Sequence, residues 1–212
     1  MKVFIAGGTG RVADFLIQNL TNSGHQVVAG ARSPEKVVTR PGVTAVPLDL
    51  HADVASLAEL IKGSDAVYFV AGSRGQDLLQ TDAFGAVKLM QASEQAGIKR
   101  FILLSSIFAT EPEKWSDPNL AKIINYNIAK FFADQWLINQ TNLDYTIVQP
   151  GSLVEAETGS GKIELNVQKA QANSIPNVAA VLAAVLEKTN TYGQILQMSD
   201  GNTPIEEALN TL

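Results

Sequence analysis

Residues 1–16 read MKVFIAGGTGRVADFL and join an apolar segment to an amphipathic one through a glycine-rich turn. The apolar run predicts a buried strand over residues 3–6, and the apolar spacing that follows predicts a helix over residues 11–20. Glycines at such a junction let the backbone turn tightly and approach a diphosphate, whose charge the unpaired N–H groups of the first helical turn favour. The stretch therefore predicts a dinucleotide-binding loop at residues 7–10, with a purely structural glycine turn as the alternative.

The composition describes a chain that can bury a large core. Of its 212 residues, 46% are hydrophobic and 17% are charged, and a chain of this length buries roughly 70% of its unfolded surface. The net charge of −5 argues against a nucleic-acid or anionic-membrane partner. The lack of cysteine excludes disulfides and thiolate chemistry. Because we find neither a signal peptide nor an apolar stretch of about 20 residues, we expect a cytoplasmic protein.

Short runs rich in Val, Ile and Phe alternate with helical patterns along the chain. The further strands that we expect cover residues 26–29, 44–47, 66–70, 100–104, 145–148 and 195–198. The further helices that we expect cover residues 53–61, 84–95, 123–139 and 178–186. This alternation predicts an α/β fold with a doubly wound parallel sheet, the Rossmann arrangement, in a single domain over residues 1–212.

Two stretches fit the alternation poorly. Residues 110–120 contain two prolines, and residues 151–173 contain a Gly-Ser-Gly segment with few periodic apolar positions. We expect both to be loops that are too short to form a second domain. Because each follows a strand, at the edge where open α/β sheets bind ligands, we expect them to form the walls of a substrate site.

The residues after the second, third and fourth strands bear on the choice of cofactor. Arg32 stands near the place where an NAD site usually has an acid, and a guanidinium can bind a 2′-phosphate, so the sequence favours NADP(H) over NAD(H). A solvated Arg32 is the alternative. Asp49 could accept a hydrogen bond from adenine or cap the following helix. Arg74 could reach a phosphate or an anionic substrate, or could remain solvated.

Four further motifs carry a family resemblance. They are ARSPEK at 31–36, RFILLSS at 100–106, YNIAK at 126–130 and LDYTIVQPG at 143–151. With the glycine loop, they make the chain resemble the short-chain dehydrogenase/reductase superfamily, specifically its atypical NAD(P)H-binding members among bacterial oxidoreductases, NmrA-like proteins and small flavin and biliverdin reductases. The sequence departs from the family pattern at Ala13, which replaces a third glycine, at Gln149, where many relatives have Arg, and at Asn177, which replaces a common Asp.

Tyr126 and Lys130 are the candidate catalytic pair. They are four residues apart on a predicted helix and therefore share a face. An ammonium group near a phenol favours the phenolate, so Tyr126 could pass a proton to a carbonyl oxygen as hydride arrives. The resemblance implies that Ser106 binds the same oxygen, that Ser105 lies nearer the cofactor and that Lys130 also binds the nicotinamide ribose. The alternative is a packed tyrosine beside a solvated lysine.

The sequence thus leads to a defined set of candidate residues and functions. The expected cofactor contacts are Gly7, Thr9, Gly10, Arg11, Val12, Arg32, Ser33, Asp49, Leu50, Ala71, Gly72, Arg74, Ser105, Lys130, Pro150 and Gly151. We expect no metal, since the spacing of the histidines suits no metal site. The expected function is NADPH-dependent reduction of a small carbonyl, quinone or flavin-like acceptor. A non-catalytic NADP(H)-binding redox-sensing regulator is the alternative, and a nucleotide-sugar epimerase is disfavoured by the short chain. We expect a small-molecule substrate, no nucleic-acid or membrane partner, and a monomer or homodimer.

Overall fold

The computed structural model describes residues 1–212, and its centre is a nine-stranded, mostly parallel sheet. The chain has eleven strands, nine in this sheet and two in a small separate sheet. They are β1 (Lys2–Ala6), β2 (Gln26–Ala31), β3 (Val43–Pro47), β4 (Ala66–Phe69), β5 (Arg100–Leu104), β6 (Asp144–Pro150), β7 (Ser152–Val154), β8 (Lys162–Leu165), β9 (Ala172–Ser174), β10 (Gln194–Asp200) and β11 (Thr203–Pro204), of which β7 and β9 form the separate sheet. The helices are α1 (Arg11–Asn22), α2 (Val54–Ile61), α3 (Ala86–Gln95), α4 (Pro118–Ala121), α5 (Ile124–Gln140), α6 (Ile175–Ala184) and α7 (Ile205–Leu209), and a π-helix, Leu78–Gly85, runs into α3.

The strand order confirms the predicted doubly wound α/β sheet. It runs β11-β8-β10-β6-β5-β4-β1-β2-β3, and every pair from β10 to β3 is parallel. The antiparallel strands β8 and β11 complete one edge. Because the connections reverse direction between β1 and β4, the crevice for a ligand lies at the carboxyl ends of these two strands.

Alternating side chains divide the core into two layers. In β1, Val3 and Ile5 pack with α1 and α6 on one face of the sheet, whereas Phe4 and Ala6 pack with α2 and α3 on the other. A strand directs successive side chains to opposite faces, so a strand must be apolar wherever both of its faces are covered, as β1 is from Val3 to Ala6. This rigid centre fixes the position of the turn that follows β1. None of the helices combines the length and the apolar character that a membrane span requires.

The two stretches that we expected to be loops contain regular structure. Residues 110–120 include a 3₁₀ turn, Pro112–Lys114, and part of α4. Residues 151–173 include β7 and β8, and β7 pairs with β9 in a second, two-stranded sheet. The expectation of continuous loops is therefore wrong. These elements are short, and β8 buries fully only Ile163, so their tertiary partners determine them more than any local periodicity does.

Candidate cofactor and active site

The glycine loop is tightly enclosed by its neighbours. Gly7 has φ +99°, and a Cβ there would lie 2.7 Å from the Cα of Ala71 after β4. A Cβ on Gly8 would lie 2.9 Å from the Cβ of Ala29 in β2. The amides of Gly7 and Gly8 both donate to the carbonyl of Gly30, at 2.9 Å each. Only glycine fits at Gly7, because its φ is unfavourable for any other residue and a side chain there would clash with the backbone of Ala71.

The amides at the start of α1 are free to bind a ligand. Gly10 is the N-cap, and the first hydrogen bond of the helix is donated by Asp14 to the Gly10 carbonyl, at 3.1 Å. The amides of Thr9 and of residues 11–13 donate no hydrogen bond. Unpaired N–H groups at a helix N-terminus, with the positive end of the helix dipole, favour an anion such as a diphosphate. The site therefore fits the phosphates of a dinucleotide.

A cavity of about 470 Å³ extends from this loop across the carboxyl ends of β1 to β4. Of the expected cofactor contacts, it is lined by Gly7, Thr9, Gly10, Arg32, Asp49, Leu50, Ala71, Gly72 and Arg74. The structure thus brings together residues from four separate connections of the sheet. The remaining expected residues, Arg11, Val12, Ser33, Ser105, Lys130, Pro150 and Gly151, do not line it.

The end of the cavity beside β2 and β3 has both a free cation and a partly engaged acid. Arg32 is exposed, follows β2 directly and forms no ion pair. Asp49 accepts a hydrogen bond from the amide of His51 at 2.8 Å. The N-cap of α2 is Asp53, whose carboxylate accepts from the amide of Ser56 at 2.7 Å. The capping role considered for Asp49 is therefore wrong.

A hydrogen-bonded pair that we did not predict lies at the same end of the cavity. His51 Nε2 lies 2.7 Å from Asp77 Oδ2, and Thr81 Oγ1 donates to that oxygen at 2.6 Å. The hydrogen bonds from Thr81 and His51 hold the pKa of Asp77 below its usual value. All three residues line the cavity. The pair joins the connection after β3 to the start of the π-helix, a long-range contact that no local sequence pattern announces.

Two expected cofactor residues bind elsewhere in the chain. The Arg11 guanidinium lies 2.6 Å from Glu155 Oε1, and both side chains are more than half exposed. The amide of Gly151 donates to the side-chain oxygen of Asn173 at 2.6 Å, so this part of the chain is fixed by β9. Val12 is buried in the core, where only its free amide could serve a ligand.

The structure brings Tyr126 and Lys130 together but keeps them outside the cavity. Lys130 Nζ lies 5.6 Å from the centre of the Tyr126 ring and donates to the carbonyl of Leu104 at 3.1 Å. Lys130 is only 2% exposed, whereas Tyr126 is partly exposed and its hydroxyl takes no part in a hydrogen bond within the chain. Ser106 follows β5 and is buried. The ammonium group has three N–H donors, so two remain for another partner.

Ser105 faces the interior of the protein. Its Oγ donates to Asp134 Oδ2 at 2.7 Å, and Gln149 Nε2 donates to the same oxygen at 2.9 Å. Asp134 is fully buried, and burial raises its pKa to about 7 against the opposing effects of Ser105, Gln149 and Lys130. We did not predict Asp134 from the sequence. Its position one helical turn after Lys130 was the sequence signal that could have identified it.

An aromatic group fixes the segment beside Tyr126. Trp115 donates its indole N–H to the carbonyl of Phe108 at 2.9 Å, and its ring meets Phe131 edge-on with the ring centres 5.9 Å apart. Phe131 belongs to α5, the helix that carries Tyr126. Trp115 therefore anchors residues 110–120 to the candidate active site.

Comparisons with known proteins agree with this geometry. A family model described as NAD(P)H-binding matches residues 7–189. The crystal structure of the oxidoreductase ylbE from Lactococcus lactis superimposes with a TM-score of 0.97 at 44% identity, covering 100% of this chain and 96% of that one. Two curated relatives are each 33% identical to this chain. One is YhfK of Bacillus subtilis (strain 168), named an uncharacterized sugar epimerase, and the match covers 100% of both chains. The other is the UPF0659 protein YMR090W of Saccharomyces cerevisiae (strain ATCC 204508 / S288c), and the match covers 100% of this chain and 99% of the relative. The chain therefore belongs to the NAD(P)H-binding family of Rossmann-fold proteins, which confirms the resemblance to the NAD(P)H-binding, atypical short-chain dehydrogenases/reductases.

Proposed function

We propose that this protein is an NADPH-dependent oxidoreductase that reduces a small carbonyl, quinone or flavin-like acceptor. One observation carries the proposal: free amides at the start of α1 stand at one end of a cavity that reaches an unpaired Arg32. The amides suit the diphosphate of a nicotinamide dinucleotide. Tyr126 and Lys130, on the carboxyl side of β5 and β6, supply groups that can assist a reduction.

The preference for NADP(H) rests on the charges at the adenine end. Arg32 has no partner within the chain and can bind a 2′-phosphate. Two acids line the cavity, and both have partners within the chain: Asp49 accepts from the amide of His51, and Asp77 is bound by the His51 ring and by Thr81. An acid that bound the ribose hydroxyls directly would favour NAD(H).

The nicotinamide supplies hydride when the cofactor is bound, and the residues of this chain supply the rest. The Tyr126 hydroxyl is free to donate a proton to the oxygen of the acceptor. Lys130 holds a positive charge beside the phenol and keeps two N–H groups for a ribose hydroxyl. Ser106 can donate a hydrogen bond to the same acceptor oxygen. Burial of Lys130 strengthens its electrostatic effect on the phenol, because little water screens it.

The test combines binding with turnover. We would titrate the protein with NADPH by fluorescence and follow oxidation at 340 nm with aldehydes, quinones and flavins. Tyr126→Phe should lower the rate by roughly 10²–10⁴-fold without weakening NADPH binding. Tyr145→Phe is a matched control, because Tyr145 lies near the start of β6, far from the carboxyl ends of the strands. Equal loss of rate in both variants would contradict the assignment of Tyr126.

One observation favours a non-catalytic NADP(H)-binding regulator instead. Ser106, Tyr126 and Lys130 do not line the cavity, so cofactor binding does not by itself require them. Tight NADPH binding without oxidation of any acceptor would support this alternative. The name of the Bacillus subtilis relative adds sugar epimerisation as a third activity, and nucleotide sugars therefore belong in the same screen.

A further inference from the structure

A buried carboxyl group lies behind the candidate catalytic pair. Asp134 is on α5, one turn after Lys130, and has no exposed surface. Its Oδ2 receives hydrogen bonds from Ser105, at the end of β5, and from Gln149, in β6. Three elements thus meet at one carboxyl oxygen, directly beneath the edge of the sheet where the reaction is proposed.

The side chains of Ser105, Asp134 and Gln149 form a buried cluster in which two acceptor atoms lack a hydrogen bond. Asp134 Oδ1 and Gln149 Oε1 are buried acceptors without a donor. A buried carboxylate with an unpartnered oxygen is costly, and a proton on the carboxyl removes the charge and supplies a donor. Burial accordingly raises the pKa of Asp134 to about 7, so that this carboxyl group changes its charge near neutral pH.

Lys130 is the charged group that acts on this carboxyl. The groups that face it from β5 and β6, Ser105 and Gln149, are uncharged, and Gln149 also contacts Thr110 at 3.4 Å. Glu111, which follows Thr110 in the chain, is bound by Lys114 and Gln197.

The charge of Lys130 acts on the carboxyl of Asp134 and also lies near the phenol of Tyr126. Lys130 stands 5.6 Å from the Tyr126 ring and is held by the carbonyl of Leu104, the residue before Ser105. When Asp134 is neutral, the charge of Lys130 acts on Tyr126 undiminished. When Asp134 is ionised, its negative charge offsets that of Lys130 at the phenol.

We propose that Asp134 is a positioning residue that orients Ser105 and, by gaining or losing a proton beside Lys130, sets the pH range in which Tyr126 acts as an acid. This inference rests on the proposed oxidoreductase function. It predicts that kcat falls as the pH rises through about 7, and that the affinity for NADPH does not follow the same curve.

Asp134→Asn tests the inference, because an asparagine can still accept from Ser105 and Gln149 but cannot ionise. We expect kcat of this variant to lose the fall near pH 7, while its KM and its Kd for NADPH stay within about twofold of wild type. A retained fall near pH 7, or parallel losses of kcat and NADPH affinity, would overturn the inference. Gln149→Arg is a second variant, in which a guanidinium beside the carboxyl should move the fall to lower pH.

A readout without turnover separates this inference from the proposed function. In protein labelled with ¹³Cζ-tyrosine, the Tyr126 resonance, assigned with Tyr126→Phe, should shift as the pH passes through about 7 in the wild type and stay constant in Asp134→Asn. If no acceptor is reduced but this shift is present, the proposed function fails and the coupling stands. If reduction occurs and the Tyr126 resonance shows no such shift, the coupling is refuted and the oxidoreductase function stands.

Discussion

Gly7 and Ala71 approach so closely that a Cβ on Gly7 would lie 2.7 Å from the Cα of Ala71. The carboxyl ends of β1 and β4 therefore meet without room for a side chain, and the free amides of α1 are held against the cavity between them. The packing of two backbones thus fixes the shape of the cofactor site.

Gly7→Ala should cost both stability and binding. The positive φ and the clash together should destabilise the protein by about 2–4 kcal/mol, and displacement of the loop should weaken NADPH binding by at least about tenfold. Thermal melting and fluorescence titration measure the two effects. Gly63→Ala is the matched control, because Gly63 also has positive φ but its Cβ would meet nothing within 4 Å. Equal effects of the two substitutions would contradict the role assigned to the contact with Ala71.

Arg32→Ala should weaken NADPH binding selectively. Loss of a charge-assisted contact to the 2′-phosphate should lower the affinity for NADPH by about tenfold or more and leave that for NADH nearly unchanged. Calorimetric titration of both cofactors measures this difference. Lys36→Ala, which removes an exposed charge one short turn later, serves as the control. An equal fall in both affinities would show that Arg32 does not bind the 2′-phosphate.

The pair between His51 and Asp77 should slow release of the cofactor. Because both side chains are partly exposed, we expect its loss to change binding by only about 1 kcal/mol or less, a factor of up to about five. Stopped-flow displacement of NADPH should show faster release from His51→Ala. Lys62→Ala breaks an exposed ion pair with Glu59 that lies outside the cavity and should leave release unchanged. Unchanged release from His51→Ala would exclude a role for the pair.

Asp134 should make the stability of the protein depend on pH. Its pKa is about 7 in the folded protein and about 3.8 when unfolded, so between these values the folded state holds a proton that the unfolded state lacks. The free energy of unfolding should therefore fall as the pH rises from about 4 to 7, by up to about 4 kcal/mol from this group. Urea unfolding of wild type and Asp134→Asn at several pH values measures the difference. A difference that does not change with pH would refute the raised pKa.

The sequence predicted the parts of the fold that have strong local patterns. The β1 strand and the α1 helix were evident because β1 is apolar from Val3 to Ala6 and α1 has an apolar face. The π-helix Leu78–Gly85 has almost no helical periodicity, and β7 to β9 are three or four residues long. These elements depend on tertiary partners, so local pattern could not reveal them.

The candidate site was likewise predictable only where its residues follow a local pattern in the sequence. The glycine loop and Arg32 follow strands at positions where ligands bind, and both line the cavity. The pairing of His51 with Asp77 joins residues that are 26 positions apart. The contact between Ser105 and Asp134 joins residues that are 29 positions apart, and it turns a serine expected near the cofactor into the interior. Such contacts require the three-dimensional arrangement of the strands.

Calorimetric titration of the purified protein with NADPH and NADH tests most directly whether the amides of the glycine loop and α1 hold a dinucleotide. We predict saturable binding of one NADPH per chain with a Kd well below about 1 mM, and weaker binding of NADH. No heat of binding with either cofactor at millimolar concentration would contradict the assignment of the site.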